Sequence, residues 1–202
     1  ELVFFGDVHD PTMSQTYWVE MGELRAEWIS YTYSRMMPHA GDLISIDERG
    51  LRVTVNPDGV PDDAPTIYTF GGSTMWGEGS RDAYTIPSQL STALYEAGTP
   101  VQVTNYGQVA YVSTQDLIVF ERQLALGSVP DMAVFYGGFN DVAAVTISDG
   151  AAGLPHNEIN RIRDLASGAI LRGGRPVVQQ PNASWDTINM SLVSIPDATP
   201  EQ

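Results

Sequence analysis

The stretch FGGST, Phe70–Thr74, combines residue types that favour chemistry, because a serine follows two glycines directly after an apolar run. A serine hydroxyl acts as a nucleophile when a base accepts its proton and when hydrogen-bond donors stabilise the oxyanion that forms. Candidate donors are the N–H of Ser73 itself, the N–H of Gly107 in NYG and the side-chain amide of Asn140 in GFND. These residues together predict a site for acyl transfer.

Each of these residues follows a predicted strand. The β-branched and apolar runs Thr66–Phe70, Val101–Asn105 and Asp131–Tyr136 predict three strands. Two predicted helices separate these strands. The first covers residues 86–98 and is indicated by apolar residues spaced four apart; the second covers residues 113–127, with Ser113 or Thr114 as its cap. This alternation predicts an α/β fold, a three-layer α/β/α sandwich with a mostly parallel, flavodoxin-like sheet. Since the carboxyl ends of parallel strands share one edge, the serine and its donors should meet there.

The rest of the chain frames this domain. Residues 1–65 are expected to form an N-terminal extension, with a helix around Tyr17–Tyr33 and a β-hairpin over Leu43–Val55 that packs on the main domain of residues 66–202. A further helix is predicted over Asn157–Leu171, and PVVQQ at residues 176–180 is a short strand candidate.

Charge excludes several classes of partner. Acidic residues number 25 against 10 basic ones, all of them arginine, so the net charge is −15. A field of this sign repels phosphate backbones and anionic membrane surfaces, which makes nucleic acid an unexpected partner. No membrane segment is expected, because the chain has no apolar run of spanning length. The chain begins at Glu1, which is compatible with removal of an upstream signal or anchor.

The chain contains no cysteine, which excludes disulfides, thiolate metal sites and cysteine nucleophiles. Its three histidines, His9, His39 and His156, have no metal-binding spacing, so neither a metal nor another cofactor is expected.

A phosphate-binding loop is the main alternative interpretation of residues 66–80. A Walker A loop requires a lysine, which the chain lacks, and Gly77-Glu78-Gly79 is followed by no third glycine of the dinucleotide fingerprint. A flavodoxin-like loop that binds flavin or phosphate stays open, because Ser and Thr stand beside a predicted helix start.

These motifs together resemble the SGNH, or GDSL-type, hydrolase family. Phe70–Thr74 resembles its first block, with Ser73 at the nucleophile position and Gly72 where the commoner form has Asp. Asn105–Gly107 resembles the second block and Gly138–Asp141 the third, Gly-x-Asn-Asp. The resemblance covers about residues 43–171 and rests on three blocks in the family's order.

The resemblance implies a serine esterase in which Gly107 and Asn140 complete the oxyanion hole for an ester attacked by Ser73. It implies a small acyl ester, for example an acetyl ester of a carbohydrate or lipid, as the substrate, and favours an extracytoplasmic or secreted bacterial location. The oligomeric state is open.

The chain departs from the family at its fourth block, Asp-x-x-His, which supplies the general base. After Asp141 the sole histidine is His156, and its spacing differs from that block. The resemblance therefore implies a chain that ends or diverges before the block, with His156 as the remaining candidate base. It leaves open an active esterase or a non-catalytic domain that keeps the pocket and binds a ligand.

Overall fold

The computed structural model describes residues 11–147 and 177–178. The helices are α1 (Pro11–Glu23), α2 (Ser73–Trp76), α3 (Ile86–Glu96), α4 (Ser113–Ala125) and α5 (Phe139–Ile147), with a 3-10 turn at Asp82–Tyr84. The strands are β1 (Ala26–Glu27), β2 (Arg35–Met36), β3 (His39–Ala40), β4 (Ser45–Ile46), β5 (Thr66–Gly71), β6 (Gln102–Asn105), β7 (Met132–Tyr136) and β8 (Val177–Val178).

The sheet of the main domain is parallel, in the order β6-β5-β7. Its central strand β5 pairs Ile67 with Val103 on one side and with Met132 on the other. Helix α3 connects β5 to β6, and helix α4 connects β6 to β7. The predicted α/β class with a parallel sheet is therefore confirmed.

Side chains alternate along β5 and bury two cores, one on each face of the sheet. Ile67 packs with Val101 and Val103 against Leu90 and Leu94 of α3. On the opposite face Phe70 packs with Tyr106 against Val119 and Phe120 of α4, and the rings of Phe70 and Tyr106 stack at 5.3 Å. The described part of the sheet thus lies between two helical layers.

A third core joins the residues before β5 to α2. Tyr17 of α1, Met36 of β2 and Ile44 pack around the fully buried ring of Trp76. The hairpin predicted over residues 43–55 turns at Asp47 and Gly50, where the Gly50 N–H donates to the Asp47 carbonyl at 2.8 Å. The boundary predicted at residue 65 stays a prediction.

The first helix lies earlier than the sequence predicted. It runs over Pro11–Glu23 rather than around Tyr17–Tyr33, and the residues after it enter β1 instead. Tyr31 and Tyr33 adopt φ values of +75° and +66°, which no right-handed helix permits. The predicted helix over 157–171 lies outside the described residues, while Val177–Val178 within PVVQQ pairs antiparallel with β1.

Candidate active site

Ser73 is the first residue of α2 and is separated from the central strand β5 by Gly72 alone. The first hydrogen bond of this short helix runs from the Trp76 N–H to the Gly72 carbonyl at 3.0 Å. Ser73 is partly exposed, whereas Met75 and Trp76 on the same helix are buried. The buried pair anchors α2 and leaves Ser73 partly exposed near the carboxyl end of β5.

Asn140 on α5 reaches the residue that precedes the serine. A Cβ added to Gly72 would lie 2.5 Å from the Asn140 Nδ2, so the amide occupies the space that this glycine leaves open. The same Nδ2 donates to the Tyr111 carbonyl at 2.8 Å. The ends of β5 and β7, with the loop after β6, therefore come together as the parallel topology predicted.

Gly107 also lies against α2, in close backbone contact. Its N–H donates to the Asn105 Oδ1 at 2.9 Å, and an added Cβ would lie 2.7 Å from the backbone N of Trp76. Glycine is needed here because only hydrogen fits between the two backbones. The oxyanion role of Gly107 stays a prediction, and in this conformation its N–H is already used by Asn105.

Ala110, in the same loop, has a backbone conformation that the sequence does not signal. Its φ is +65°, in the left-handed region that costs an L-residue with a Cβ about 1–2 kcal/mol. It directly precedes Tyr111, whose carbonyl accepts the Asn140 amide. Strain of this kind persists where surrounding contacts hold the backbone in place, and it is often found at functional sites.

Glu78 is a second residue that the sequence did not single out for chemistry. Its backbone N–H donates to the Ser73 carbonyl at 2.9 Å. Burial raises the pKa of Glu78 above its ordinary value, and the Ser73 side chain opposes that rise. The signal available in the sequence was Gly77, which can reverse the chain and return the next residue to the start of the helix.

Two further acids, Asp116 and Asp141, lie in the first turns of α4 and α5. Asp141 accepts the N–H of Ser113 at 3.1 Å and its hydroxyl at 3.0 Å, so the start of α4 is capped from α5. The cap predicted from Ser113 or Thr114 is therefore wrong, since Val112 is the N-cap residue and the carboxylate comes from a distant segment. Burial, and then the charge of Asp141, raise the pKa of Asp116 to about 7, while a Gly71 N–H bond lowers it.

The histidine expected of a serine hydrolase is not among the described residues near Ser73. The one histidine of residues 11–147 and 177–178 is His39, whose Nε2 lies 3.5 Å from the Glu20 Oε1. His156 lies outside the described residues. In the same part of the chain no group of three or more His, Asp or Glu is arranged to hold a metal, and no helix is long and apolar enough to cross a membrane.

A shallow cavity of about 320 Å³ lies elsewhere, between α1 and the β3–β4 pair. Its walls include His39, Glu20 and Asp42, and it touches none of the residues at the strand ends. The candidate site is therefore defined by Ser73 and its contacts rather than by this cavity.

Comparison with known proteins gave matches among solved structures. No protein-family model and no curated protein matches the chain. The crystal structure of AlinE4, described as an SGNH-hydrolase family esterase, is 23% identical and aligns over 55% of this chain and 57% of its own, with a TM-score of 0.36. A variant of the same esterase is 27% identical over 41% of this chain and 44% of its own, also with a TM-score of 0.36. The chain thus spans about half the length of these esterases.

Proposed function

We propose that this protein is a serine ester hydrolase of the SGNH type that cleaves a small acyl ester, such as an acetyl ester of a carbohydrate or lipid. The observation that carries the proposal is the approach of the Asn140 amide to Gly72, directly beside Ser73, at the carboxyl ends of the parallel strands. A nucleophile and a side-chain donor at one sheet edge are the two parts that acyl transfer needs first.

In this mechanism the Ser73 Oγ attacks the ester carbonyl, and its proton passes to a base. The negative charge that develops on the carbonyl oxygen is stabilised by the Ser73 N–H and the Asn140 amide. Collapse of this intermediate breaks the ester bond to the alcohol, which takes the proton from the base as it leaves. Water then hydrolyses the acyl-serine, which regenerates Ser73 and releases the acid.

A third donor is expected from the loop after β6. Gly107 supplies it if Asn105 releases the Gly107 N–H, to which it is bonded at 2.9 Å in the free protein. The N–H of Ala110 is the alternative, because its left-handed backbone lies next to the carbonyl that Asn140 contacts. With either donor, the oxyanion lies at the carboxyl ends of β5, β6 and β7.

The test is hydrolysis of p-nitrophenyl acetate, together with labelling by a fluorophosphonate probe. We expect Ser73→Ala to abolish both, and Asn140→Ala to lower kcat by about 100-fold or more, as loss of one oxyanion donor does elsewhere. Ser80→Ala, in the same glycine-rich segment, is the matched control and should keep wild-type turnover. Wild-type turnover in Ser73→Ala would overturn the assignment.

A non-catalytic binding domain is the second candidate. The described part of the chain places no histidine beside Ser73, and the His39 Nε2 lies 3.5 Å from the Glu20 Oε1. In a domain of this kind the wild-type protein would show neither p-nitrophenyl acetate hydrolysis nor fluorophosphonate labelling. Stoichiometric labelling at Ser73 would exclude it.

A further inference from the structure

Tyr111 connects the Asn140 amide to the part of the chain that precedes β5. Its carbonyl accepts the Asn140 Nδ2 at 2.8 Å, and a Cβ added to Gly72 would lie 3.4 Å from the same carbonyl oxygen. Its hydroxyl donates to the Ser34 carbonyl at 2.6 Å, and the whole residue is buried. One side chain therefore contacts the N-terminal segment, while the backbone of the same residue contacts the candidate site.

The backbone is strained on both sides of the hydrogen bond between Tyr111 and Ser34. Ala110, which precedes Tyr111, has φ +65°, and Tyr33, which precedes Ser34, has φ +66°. The third non-glycine residue with a positive φ in the described part of the chain, Tyr31, lies in the same N-terminal segment. Left-handed backbone is unfavourable for residues with a Cβ, so surrounding contacts must hold these positions.

Gln115 in the first turn of α4 supplies two of these contacts. Its Nε2 donates to the Thr32 carbonyl at 2.6 Å, and its Oε1 accepts the Val112 N–H at 3.1 Å. Val112 follows Tyr111 directly, so one buried amide holds both segments at the start of α4. The carbonyl that faces Asn140 is therefore fixed from the ring of Tyr111 and from the residue after it.

The contact with Tyr111 decides which end of the Asn140 amide faces the serine. A Cβ added to Gly72 would lie 2.5 Å from the Asn140 Nδ2 and 3.6 Å from its Cγ, so the nitrogen is the end that approaches Gly72. A primary amide nitrogen has two hydrogens, and one of them is donated to the Tyr111 carbonyl. The other can be donated to an oxyanion formed beside Ser73. A flipped amide would present its oxygen instead and repel that charge.

We propose that Tyr111 is a positioning residue for ester hydrolysis, because its hydroxyl bond to Ser34 fixes the carbonyl that orients the Asn140 amide toward the oxyanion. The proposal rests on the esterase function proposed above and goes further in one respect. It makes the strained segment of residues 31–34 contribute to turnover through Tyr111 and Asn140, without any contact with the substrate.

The first test is Tyr111→Phe, which removes a single oxygen and keeps the ring. We expect kcat for p-nitrophenyl acetate to fall by about 10-fold or more and KM to change by less than about 2-fold, because an oxyanion donor acts in the transition state and not on the bound ester. Tyr68→Phe is the matched control. It loses a hydroxyl that lies 2.5 Å from the Ser128 Oγ, before the start of β7, and should keep wild-type kcat and KM.

A double-mutant cycle distinguishes positioning from general support of the fold. If Tyr111 acts through Asn140, then Tyr111→Phe added to Asn140→Ala should lower kcat by less than about 2-fold further. A tyrosine that only supports the fold would lower kcat by the same factor in both backgrounds, and that result would overturn the proposal. Circular dichroism and urea unfolding establish that each variant is folded, and all assays are run below the unfolding transition of the least stable one.

The outcomes also separate this proposal from the one on which it rests. If Ser73→Ala is inactive while Tyr111→Phe keeps at least about half of wild-type kcat, the esterase assignment stands and the positioning role of Tyr111 is overturned. If the wild-type protein shows neither turnover nor fluorophosphonate labelling, the esterase assignment fails and the role of Tyr111 in hydrolysis fails with it.

Discussion

The Asn105 Oδ1 accepts the backbone N–H of Gly107 at 2.9 Å in the interior of the protein. The Nδ2 of the same side chain donates to the carbonyls of Met75 at 3.1 Å and of Trp76 at 3.3 Å. One amide therefore joins the end of β6 to the last carbonyls of the helix that begins with Ser73. The NYG motif therefore positions the helix that begins with Ser73, independently of any role of the Gly107 N–H.

Replacing this amide should destabilise the fold. Asn105→Ala leaves a donor and two acceptors buried without partners, and each such group costs about 1–3 kcal/mol. We expect the free energy of unfolding in urea to fall by about 3 kcal/mol or more. Gln102→Ala on the same strand, which loses a solvent-exposed bond to the Pro61 carbonyl, should change it by less than about 0.5 kcal/mol. Equal losses in the two variants would contradict this role.

Glycine should relieve the strain at residue 110. Ala110 has φ +65°, so Ala110→Gly is expected to raise the free energy of unfolding by about 1 kcal/mol, despite the greater freedom of glycine in the unfolded chain. Ala93→Gly, at an exposed position within α3, should lower it by about the same amount because glycine is unfavourable in a helix. Urea unfolding of both variants measures the sign, and destabilisation by Ala110→Gly would refute the strain.

Asp116 should make stability depend on pH. Its pKa rises from 3.8 to about 7 in the folded protein, so the folded state holds a proton that the unfolded state releases. Between these two pKa values stability must fall as pH rises, by up to roughly 1.4 kcal/mol per pH unit from this group. Asp116→Asn removes the titrating group. The free energy of unfolding of this variant should therefore depend less on pH than that of the wild type over about pH 4.5–6.5.

The measurement is urea unfolding of wild type and Asp116→Asn at several pH values, compared as a difference so that other titrating groups cancel. Asp141→Asn provides an independent check, since the charge of Asp141 contributes to the shift and its loss should lower the pKa of Asp116. Parallel stability curves for wild type and Asp116→Asn would rule out the raised pKa.

Arg52 and Arg49 each bind an aspartate, one inside the protein and the other at its surface, so their variants can be compared directly. Arg52 is fully buried and its Nε lies 2.6 Å from Asp82, whereas Arg49 is 65% exposed and lies 2.7 Å from Asp47. Arg52→Met leaves the Asp82 carboxylate and several carbonyls without their donor, and we expect a loss of about 3–5 kcal/mol. Arg49→Met should cost less than about 1 kcal/mol by the same urea measurement, because exposed ion pairs contribute little.

Local patterns predicted the framework of the candidate site. The runs at Thr66–Phe70 and Asp131–Tyr136 carry the residue types of buried strands, and Leu90 and Leu94 mark the buried face of α3. Strands and helices that alternate in this way pack in very few arrangements, so the meeting of the strand ends was predictable. The first helix was predicted too late in the chain, because the aromatic residues up to Tyr33 were taken as helical whereas the helix ends at Glu23 and β1 follows.

By itself the sequence determined the α/β class and the proximity of Ser73 and Asn140, since short-range periodicity and chain topology are enough for both. Only the tertiary structure decided that Asn105 takes the Gly107 N–H, that Ala110 is left-handed and that the Glu78 N–H returns to the Ser73 carbonyl. Each of these depends on which groups remain unpaired once the elements have packed. Such partners can be distant in the chain, as are Arg52 and the Ser80 carbonyl to which it donates. No local sequence pattern encodes a contact of this kind.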